Sequence, residues 1–206
     1  MRGLMIVLEG LDGTGKTTLA QGLAAALEAV PLSTPGAHLR DVRRRIDDVW
    51  RARPRSQQLF YAASVLAASD EAAEWLERGR DVVVDRYWLS TCVNARLRPD
   101  LLRLDELEAV LVPADLTLLL ELDEPSRQRR LEERGMTAHD RATLLPEVAD
   151  TLRQGYRAGL RRPVAGRGDV LCVNGLGVEA VVQSALARVE RHRSVRPRIE
   201  SSGVGL

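Results

Sequence analysis

The octapeptide at residues 10–17, GLDGTGKT, restricts what this chain can fold into more than any other segment. It matches the pattern G-x-x-x-x-G-K-[ST], in which glycines let the backbone turn its N–H groups inwards around phosphate oxygens. An apolar run at residues 3–9 precedes it, and apolar residues recur at helical spacing over residues 17–29. The pattern therefore predicts a strand, a phosphate-binding loop and a helix whose positive end faces the anion. We expect these residues to bind a nucleotide: Gly10, Asp12, Gly13, Thr14, Gly15, Lys16, Thr17 and Thr18.

Lys16 is distinctive within this loop, because it is the only lysine among the 30 Lys and Arg residues of the chain. At this position a compact ammonium can reach the outer phosphates, whereas a planar guanidinium fits less well. The Thr17 hydroxyl is expected to bind magnesium. We therefore predict a catalytic role for Lys16 and a metal-binding role for Thr17. A glycine turn that binds nothing is the alternative interpretation.

Short apolar runs alternate with longer helical patterns along the rest of the chain. The runs lie at residues 81–85, 115–122 and 169–173, and helical spacing covers residues 57–78, 101–111, 126–134, 141–160 and 178–191. This alternation predicts an α/β, three-layer P-loop NTPase fold with a five-stranded parallel sheet flanked by helices and a site at the carboxyl ends of the strands. We expect one domain over residues 1–191 and a flexible tail over residues 192–206.

Composition argues against several classes of partner. With 30 basic and 29 acidic residues the formal net charge is +1, which predicts neither a nucleic-acid partner nor an anionic membrane. The apolar run at residues 3–9 is too short for a signal-peptide core or a membrane span. Cys92 and Cys172 lie in apolar surroundings and are expected to be buried thiols rather than a disulfide. These features favour a cytoplasmic protein.

A carboxylate and an arginine end the apolar run at residues 81–85. Asp85 is expected at the same edge of the sheet as the phosphate loop, and Arg86 and Tyr87 follow it. A carboxylate there can hold magnesium or orient an acceptor, and an adjacent arginine can bind a phosphate bidentately. The alternative is a strand-end aspartate that caps a turn beside a solvated arginine. We interpret Asp85 as a catalytic residue and metal ligand, and Arg86 as a catalytic residue that binds the acceptor.

Arginines are concentrated between residues 127 and 141. They are Arg127, Arg129, Arg130, Arg134 and Arg141. A solvated helix face explains most of them, but phosphoryl transfer also needs a cation on the migrating group. Because the phosphate loop contains no arginine, one or two from this segment are expected to close over the nucleotide as a lid at about residues 134–143. We assign that catalytic role to Arg134 and Arg141.

Two segments together resemble the thymidylate kinase family of P-loop nucleoside monophosphate kinases. They are EGLDGTGKTT at residues 9–18 and DRYWLST at residues 85–91, and the order of the other elements fits that family over residues 3–190. The resemblance implies a nucleoside monophosphate kinase-like fold, ATP with Mg²⁺ as donor, a lid with catalytic arginines, and a homodimer. It implies an ATP-dependent phosphotransferase acting on a small-molecule acceptor, with dTMP as the default.

The acceptor side departs from the family pattern. An Arg-Glu-Pro-Gly-like loop is replaced by STPG at residues 33–36, the base-reading arginine by Val65, and an Ala-Tyr-Gln-like segment by VNA at residues 93–95. Because buried polar groups that lose their partners weaken binding, a different phosphorylated or hydroxylated acceptor is an alternative. A non-catalytic ATP-binding module is a third hypothesis. The residues that we expect to bind the acceptor are Pro35, Arg40, Phe60, Tyr61, Arg86, Tyr87 and Asn94.

Overall fold

Five strands and nine α-helices make up the part of the chain that the computed structural model describes, residues 2–50, 52–97 and 102–195. The strands are β1 (Met5–Glu9), β2 (Val30–Ser33), β3 (Val82–Asp85), β4 (Leu116–Glu121) and β5 (Arg167–Cys172). The helices are α1 (Lys16–Leu27), α2 (Arg40–Val49), α3 (Pro54–Glu77), α4 (Trp88–Ala95), α5 (Asp105–Val110), α6 (Glu124–Glu133), α7 (Ala138–Thr143), α8 (Pro146–Gly159) and α9 (Val178–Val195). Two 3₁₀ turns cover Ala37–Leu39 and Pro163–Ala165.

The strands form one parallel sheet in the order β2-β3-β1-β4-β5. All five residues of the central strand β1 are buried, as expected where helices cover both faces of a sheet. The strand order runs in opposite directions on the two sides of β1, which creates a crevice at its carboxyl end. Leu8 lies opposite Asp85 in the register, so the phosphate loop and the end of β3 share that edge. The predicted five-stranded parallel α/β fold is confirmed.

Helices pack on both faces of the sheet through separate apolar clusters. On one face, Leu19 of α1 and Ala185 of α9 belong to a cluster that includes Ile6 and Leu118. On the other face, α3 packs against β1 and β3, and α8 packs against α4. The sheet edge that carries the phosphate loop is thus supported by apolar packing on both faces of the sheet.

Helix boundaries differ most from the sequence predictions at residues 141–160 and 101–111. The pattern at residues 141–160 is interrupted after Thr143, because Pro146 lacks a backbone N–H and begins a new helix in its first turn. A short helix, α7, is thereby separated from α8 and carries part of the predicted lid. The helix predicted at residues 101–111 covers only Asp105–Val110, and residue 101 lies outside the described residues.

The predicted boundary between domain and tail falls inside α9, which continues to Val195. His192 and Arg193 lie in its last turn, where cations interact favourably with the helix dipole, and Arg193 also pairs with Asp81. The predicted tail at residues 196–206 lies outside the described residues.

Both cysteines are free thiols. Cys92 is partly buried, and burial raises the pKa of its thiol to about 12. The expectation of a buried thiol is wrong for Cys172, which is exposed at the end of the edge strand β5. Among the helices described, none is long and apolar enough to cross a bilayer.

Candidate active site

The phosphate loop, residues 10–17, has a backbone that only glycine adopts readily at three positions. Gly10, Gly13 and Gly15 have φ angles of 138°, 85° and 96°. At Gly10 a Cβ atom would also lie 2.5 Å from the carbonyl oxygen of Leu120, so no side chain fits there. Helix α1 begins at Lys16, and its first N–H groups have no partner within the helix. The loop is therefore shaped to bind an anion.

The Lys16 ammonium is buried in this loop. Its Nζ donates a hydrogen bond to the carbonyl oxygen of Leu11 at 2.6 Å and lies 3.4 Å from Thr14 Oγ1. Burial and the nearby Arg86 lower the pKa of Lys16 to about 7, although surrounding carboxylates oppose that shift. A phosphate group next to Nζ would restore the charged form. Thr18, by contrast, is exposed in the first turn of α1.

Thr17 and Asp85, the two predicted metal ligands, are in direct contact. Thr17 Oγ1 donates a hydrogen bond to Asp85 Oδ2 at 2.6 Å. The second carboxylate oxygen, Oδ1, is buried and has no hydrogen-bond partner among the described residues. Hydroxyl and carboxylate oxygens suit Mg²⁺, and an unpartnered buried oxygen fits a cation or its water shell. Within the described ranges no group of three His, Cys, Asp or Glu residues could hold a metal, so phosphate oxygens and water would complete this site.

Arg86 enters the centre of the site from the end of β3. Its φ of 69° is unusual for a residue other than glycine and turns the chain sharply. Nη2 pairs with Asp12 Oδ1, while Nη1 donates to the carbonyl oxygen of Gly10 at 3.3 Å and to Ser90 Oγ at 3.0 Å. Burial alone would raise the pKa of Asp12, but the charges of Arg86 and Lys16 outweigh it and hold that pKa below its usual range. Arg86 is thereby fixed against the phosphate loop.

A buried carboxylate that the sequence patterns did not single out supports Arg86. Glu9, the last residue of β1, accepts hydrogen bonds from Tyr87 N at 2.9 Å, from Ser90 N at 3.1 Å and from the Ser90 hydroxyl. Burial raises the pKa of Glu9, although these donors oppose the shift. Ser90 Oγ also lies 3.1 Å from Tyr156 OH. Glu9 therefore fixes Ser90, which in turn binds Arg86. A charged residue at the end of an apolar strand is the sequence signal that could have identified it.

The two arginines predicted to act from the lid, residues 134–143, make contacts inside the lid. Arg134 Nη2 donates to Asp140 Oδ1 at 2.7 Å, and Arg141 Nη1 donates to the Met136 carbonyl oxygen at 3.1 Å. Asp140 is held in turn by a capping box at the start of α7. In the described part of the chain no hydrogen bond joins either arginine to the phosphate loop, although the charge of Arg134 contributes to the low pKa of Asp12.

Other side chains near the lid contact the phosphate loop instead. Arg130 Nη1 lies 3.4 Å from the Thr14 carbonyl oxygen, and Arg127 Nη1 lies 3.3 Å from that of Asp12. His139 Nε2 is 3.8 Å from Asp12 Oδ2. Arg127 and Arg130 belong to the segment from which one or two arginines are expected at the nucleotide, but the sequence analysis assigns that role to Arg134 and Arg141, and it assigns no site role to His139. The spacing of three between residues 127 and 130 places both on one helix face, which is the signal that could have found them.

The predicted acceptor residues come from several elements. Pro35 follows β2, where the neighbouring Thr34 hydroxyl donates to the Arg86 carbonyl oxygen at 2.9 Å. Asn94 Nδ2 donates to the Ser90 carbonyl oxygen at 2.8 Å. The structure therefore brings the loop after β2 and the first turns of α4 next to Arg86.

Aromatic residues of α3 connect to α2. Phe60 and Tyr61 form an edge-on pair with ring centroids 5.4 Å apart. Tyr61 OH donates to Asp47 Oδ1 at 2.8 Å, and Asp47 also forms an ion pair with Arg43 at 3.5 Å. Both rings are partly buried. The position of α2 against α3 is thus linked to Tyr61.

Two acceptor-side positions, Tyr87 and Val65, are buried where the sequence predicted that they face the cleft, and the predicted role of Arg40 stays a prediction. Tyr87 is buried in the core, and its hydroxyl donates to the Val112 carbonyl oxygen at 3.0 Å, so its side chain supports the sheet rather than lining a cleft. Val65, which we expected from the family resemblance to take the place of a base-reading arginine, is also fully buried in the cluster between α3 and the sheet. Arg40 begins α2, and its side chain lies outside the described residues.

A cavity of about 340 Å³ lies beside the phosphate loop at the ends of β4 and β5. Its lining includes Gly10, Thr14 and Asn174, together with Glu121 and Arg157. The last two form a bidentate ion pair with both distances at 2.7 Å. Open space therefore adjoins the loop on the β4–β5 side of β1.

Comparison with known proteins gives a consistent assignment. Residues 8–161 match the thymidylate kinase family profile. The chain is 31% identical over 172 residues to the thymidylate kinase of Ruegeria pomeroyi, which covers 75% of this chain and 80% of that protein. It is 36% identical over 156 residues to the thymidylate kinase of Gluconobacter oxydans, with 65% and 70% covered. It is 31% identical over 171 residues to a probable thymidylate kinase of Pyrococcus horikoshii, with 76% and 82% covered.

Solved structures share the fold. The thymidylate kinase from Candida albicans superposes with a TM-score of 0.73 at 19% identity, covering 93% of each chain. That from Ehrlichia chaffeensis gives 0.68 at 19% identity, covering 92% of this chain and all of the other. At such identities the likeness concerns the fold alone. Because the family profile spans most of the chain, including the phosphate loop, Asp85 and Arg86, this protein is a nucleotide kinase that belongs to the thymidylate kinase family.

Proposed function

We propose that this kinase transfers the γ-phosphoryl group of ATP to dTMP and uses Mg²⁺. The observation that carries the proposal is the meeting of Lys16, the Thr17–Asp85 pair and Arg86 at one point of the sheet edge. The phosphate loop supplies N–H groups and an ammonium for the donor phosphates, and Arg86 supplies a guanidinium for the acceptor. Both are needed, because two highly charged phosphates have to approach each other.

The reaction is an in-line displacement. An oxygen of the acceptor phosphate forms a bond to the γ-phosphorus, the bond from that phosphorus to the β,γ-bridging oxygen breaks, and ADP leaves. Lys16 binds the outer phosphates and balances part of the growing charge. Arg86, held by Asp12 and Ser90, orients the acceptor. Thr17 and Asp85 would hold Mg²⁺, which would neutralise charge on the phosphate oxygens.

The lid has a second role in this proposal. Arg134 and Arg141 leave Asp140 and the Met136 carbonyl oxygen when the lid closes, and they then bind the nucleotide phosphates. Closure also excludes water, which would otherwise hydrolyse ATP. The capping box of α7 keeps the short helix intact during this movement.

A different phosphorylated or hydroxylated small molecule is the second candidate acceptor. It is favoured by the loss of both charged residues at residues 33–36 and by the burial of Val65, where the family pattern has a base-reading arginine. Family membership favours dTMP. A non-catalytic module is disfavoured because Lys16, Thr17 and Asp85 are all in place.

The test is ADP release from ATP with Mg²⁺, measured with dTMP and with every other nucleoside monophosphate in turn, against the rate without acceptor. We expect strong stimulation by dTMP. Stimulation by another nucleotide but not by dTMP would refute dTMP as the acceptor. Stimulation by none of them, while ATP still binds, would also refute it and would direct the search to other phosphorylated or hydroxylated metabolites.

A homodimer and a cytoplasmic location, both expected from the sequence and the family resemblance, remain predictions. Sedimentation of the purified protein tests the first. A monomer at all concentrations would contradict it.

A further inference from the structure

Arg127 of α6 has no solvent-exposed surface, which is unusual for an arginine. A buried charge is tolerated when its hydrogen-bonding groups are satisfied. Nε donates to Glu124 Oε1 at 2.9 Å, and Nη2 donates to the same carboxylate and to the Thr143 carbonyl oxygen. Nη1 lies 3.3 Å from both Thr143 Oγ1 and the Asp12 carbonyl oxygen. Each of its five N–H groups therefore has one partner.

These partners belong to three segments. In the proposed reaction the lid moves, whereas the phosphate loop and the start of α6 stay in place. Asp12 is in the phosphate loop, Thr143 is the last residue of the lid helix α7, and Glu124 begins α6. Glu124 also pairs with Arg153 of α8. The Arg127 guanidinium thus contacts both the phosphate loop and the end of the lid.

The contact with Asp12 has a geometric consequence for phosphate binding. In a trans peptide the carbonyl and the following N–H point in opposite directions, and the only cis peptide among the described residues is Thr34-Pro35. Arg127 holds the Asp12 carbonyl oxygen on the protein side, so the Gly13 N–H faces the opposite side. The Arg127 side chain also packs closely against Gly13, because a Cβ atom at Gly13 would lie 3.1 Å from Arg127 Cγ.

We propose that Arg127 is a positioning residue that couples the lid to the phosphate loop, so that the Gly13 N–H is set for nucleotide binding when the end of α7 is in place. This inference rests on the proposed kinase function only for its effect on turnover. Its effect on nucleotide affinity is independent of the acceptor.

The test compares Arg127→Lys and Arg127→Met with Arg129→Met, an exposed neighbour on the same helix. Lysine keeps the charge, but its three N–H donors share one nitrogen and cannot replace the five contacts that Arg127 makes from three nitrogens. In both Arg127 variants we expect the Kd for ADP and the KM for ATP to rise about tenfold or more, because misplaced donors lose binding and turnover. In both Arg127 variants the KM for the acceptor should stay within about twofold of the wild-type value. In the Arg129→Met control the Kd for ADP and both KM values should stay within about twofold.

If Arg127 had a purely structural role, the two substitutions would lower the unfolding temperature without raising the KM for ATP more than the KM for the acceptor. If the folded variants bind ADP with wild-type affinity, the proposal is overturned. If both variants fail to fold, Thr143→Val removes only the hydroxyl at the lid end, and a several-fold rise in the ADP Kd is then required. A wild-type protein that does not phosphorylate dTMP, with variants that still lose ADP affinity, would refute the proposed acceptor and support the coupling.

Discussion

The donor side and the acceptor side of the sheet edge are constructed differently. On the donor side, residues 10–17 form a continuous cradle that contains both Lys16 and Thr17, with Asp85 from the adjacent strand. On the acceptor side the candidate groups are spread along the chain. They are Pro35 after β2, Tyr61 on α3, Arg86 after β3 and Asn94 on α4.

The two sides therefore depend on the sequence in different ways. The donor cradle depends on backbone dihedral angles that are set by glycines within one short segment, so a local sequence pattern can specify it. The acceptor side depends on side chains from separate elements, so each can be replaced without disturbing the sheet. Residues 33–36, where we expect a departure from the family pattern, belong to this second part, whereas residues 10–17 keep the whole phosphate-loop pattern.

Removing the loop ammonium should have the largest effect. Lys16→Ala is expected to lower kcat by about a thousandfold or more, because a charge that balances the transition state is lost. The unfolding temperature should change little, since the cost of burying the ammonium offsets its attraction to Asp12 and the other nearby carboxylates. Lys16→Arg is the matched control for charge, and we expect it to be nearly as inactive because a planar group fits poorly. Wild-type turnover in the Ala variant would disprove the donor assignment.

The second prediction concerns Val65. Placing arginine at this position buries an unpaired charge in the cluster between α3 and the sheet, and we expect Val65→Arg to cost about 3–5 kcal/mol of unfolding free energy. Val65→Ile is the apolar control. Chemical denaturation measures both. A well-folded arginine variant with improved use of dTMP would contradict the burial and show that this position faces the acceptor.

A smaller effect is expected from the support of Arg86. Ser90→Ala removes the hydroxyl that links Arg86 to Glu9, and we expect the acceptor KM to rise about tenfold while the ATP KM stays within about twofold. Ser64→Ala is a matched control, because that buried hydroxyl bonds only to the Tyr61 carbonyl oxygen of its own helix among the described contacts. Equal changes in both Michaelis constants would argue against an acceptor-specific role.

The smallest expected effect is the uptake of protons when a nucleotide binds. Lys16 has a pKa of about 7 without ligand, so at pH 8 it is mostly neutral, and the negative charge of a bound nucleotide raises that pKa. Binding of ADP at pH 8 should therefore take up protons, up to about one per site, and the uptake should disappear below pH 6, where Lys16 is already charged. Calorimetry in buffers of different ionisation enthalpy measures this. Unchanged uptake in Lys16→Met would assign it to another group.

Sequence reasoning succeeded where strand ends determine position. Asp85 was predicted beside the phosphate loop because parallel strands end at one edge, and Thr17 Oγ1 does contact it. It failed at Tyr87, two residues later, because the chain turns at Arg86 and directs the next side chain into the core. The choice of Arg134 and Arg141 rests on their position on either side of residues 135–137, whereas contact with the loop depends on the face of α6, where Arg127 and Arg130 lie.

The sequence by itself determined the phosphate loop, the alternation of strands and helices and the parallel sheet, because glycine conformations and apolar periodicity are properties of neighbouring residues. Only the tertiary structure decided that Glu9 and Ser90 support Arg86, that Val65 is buried, and that Arg127 joins the lid to the loop. Those contacts bring together residues that are far apart in the chain, and which side chains meet there depends on helix rotation and packing against the sheet, which no local pattern encodes.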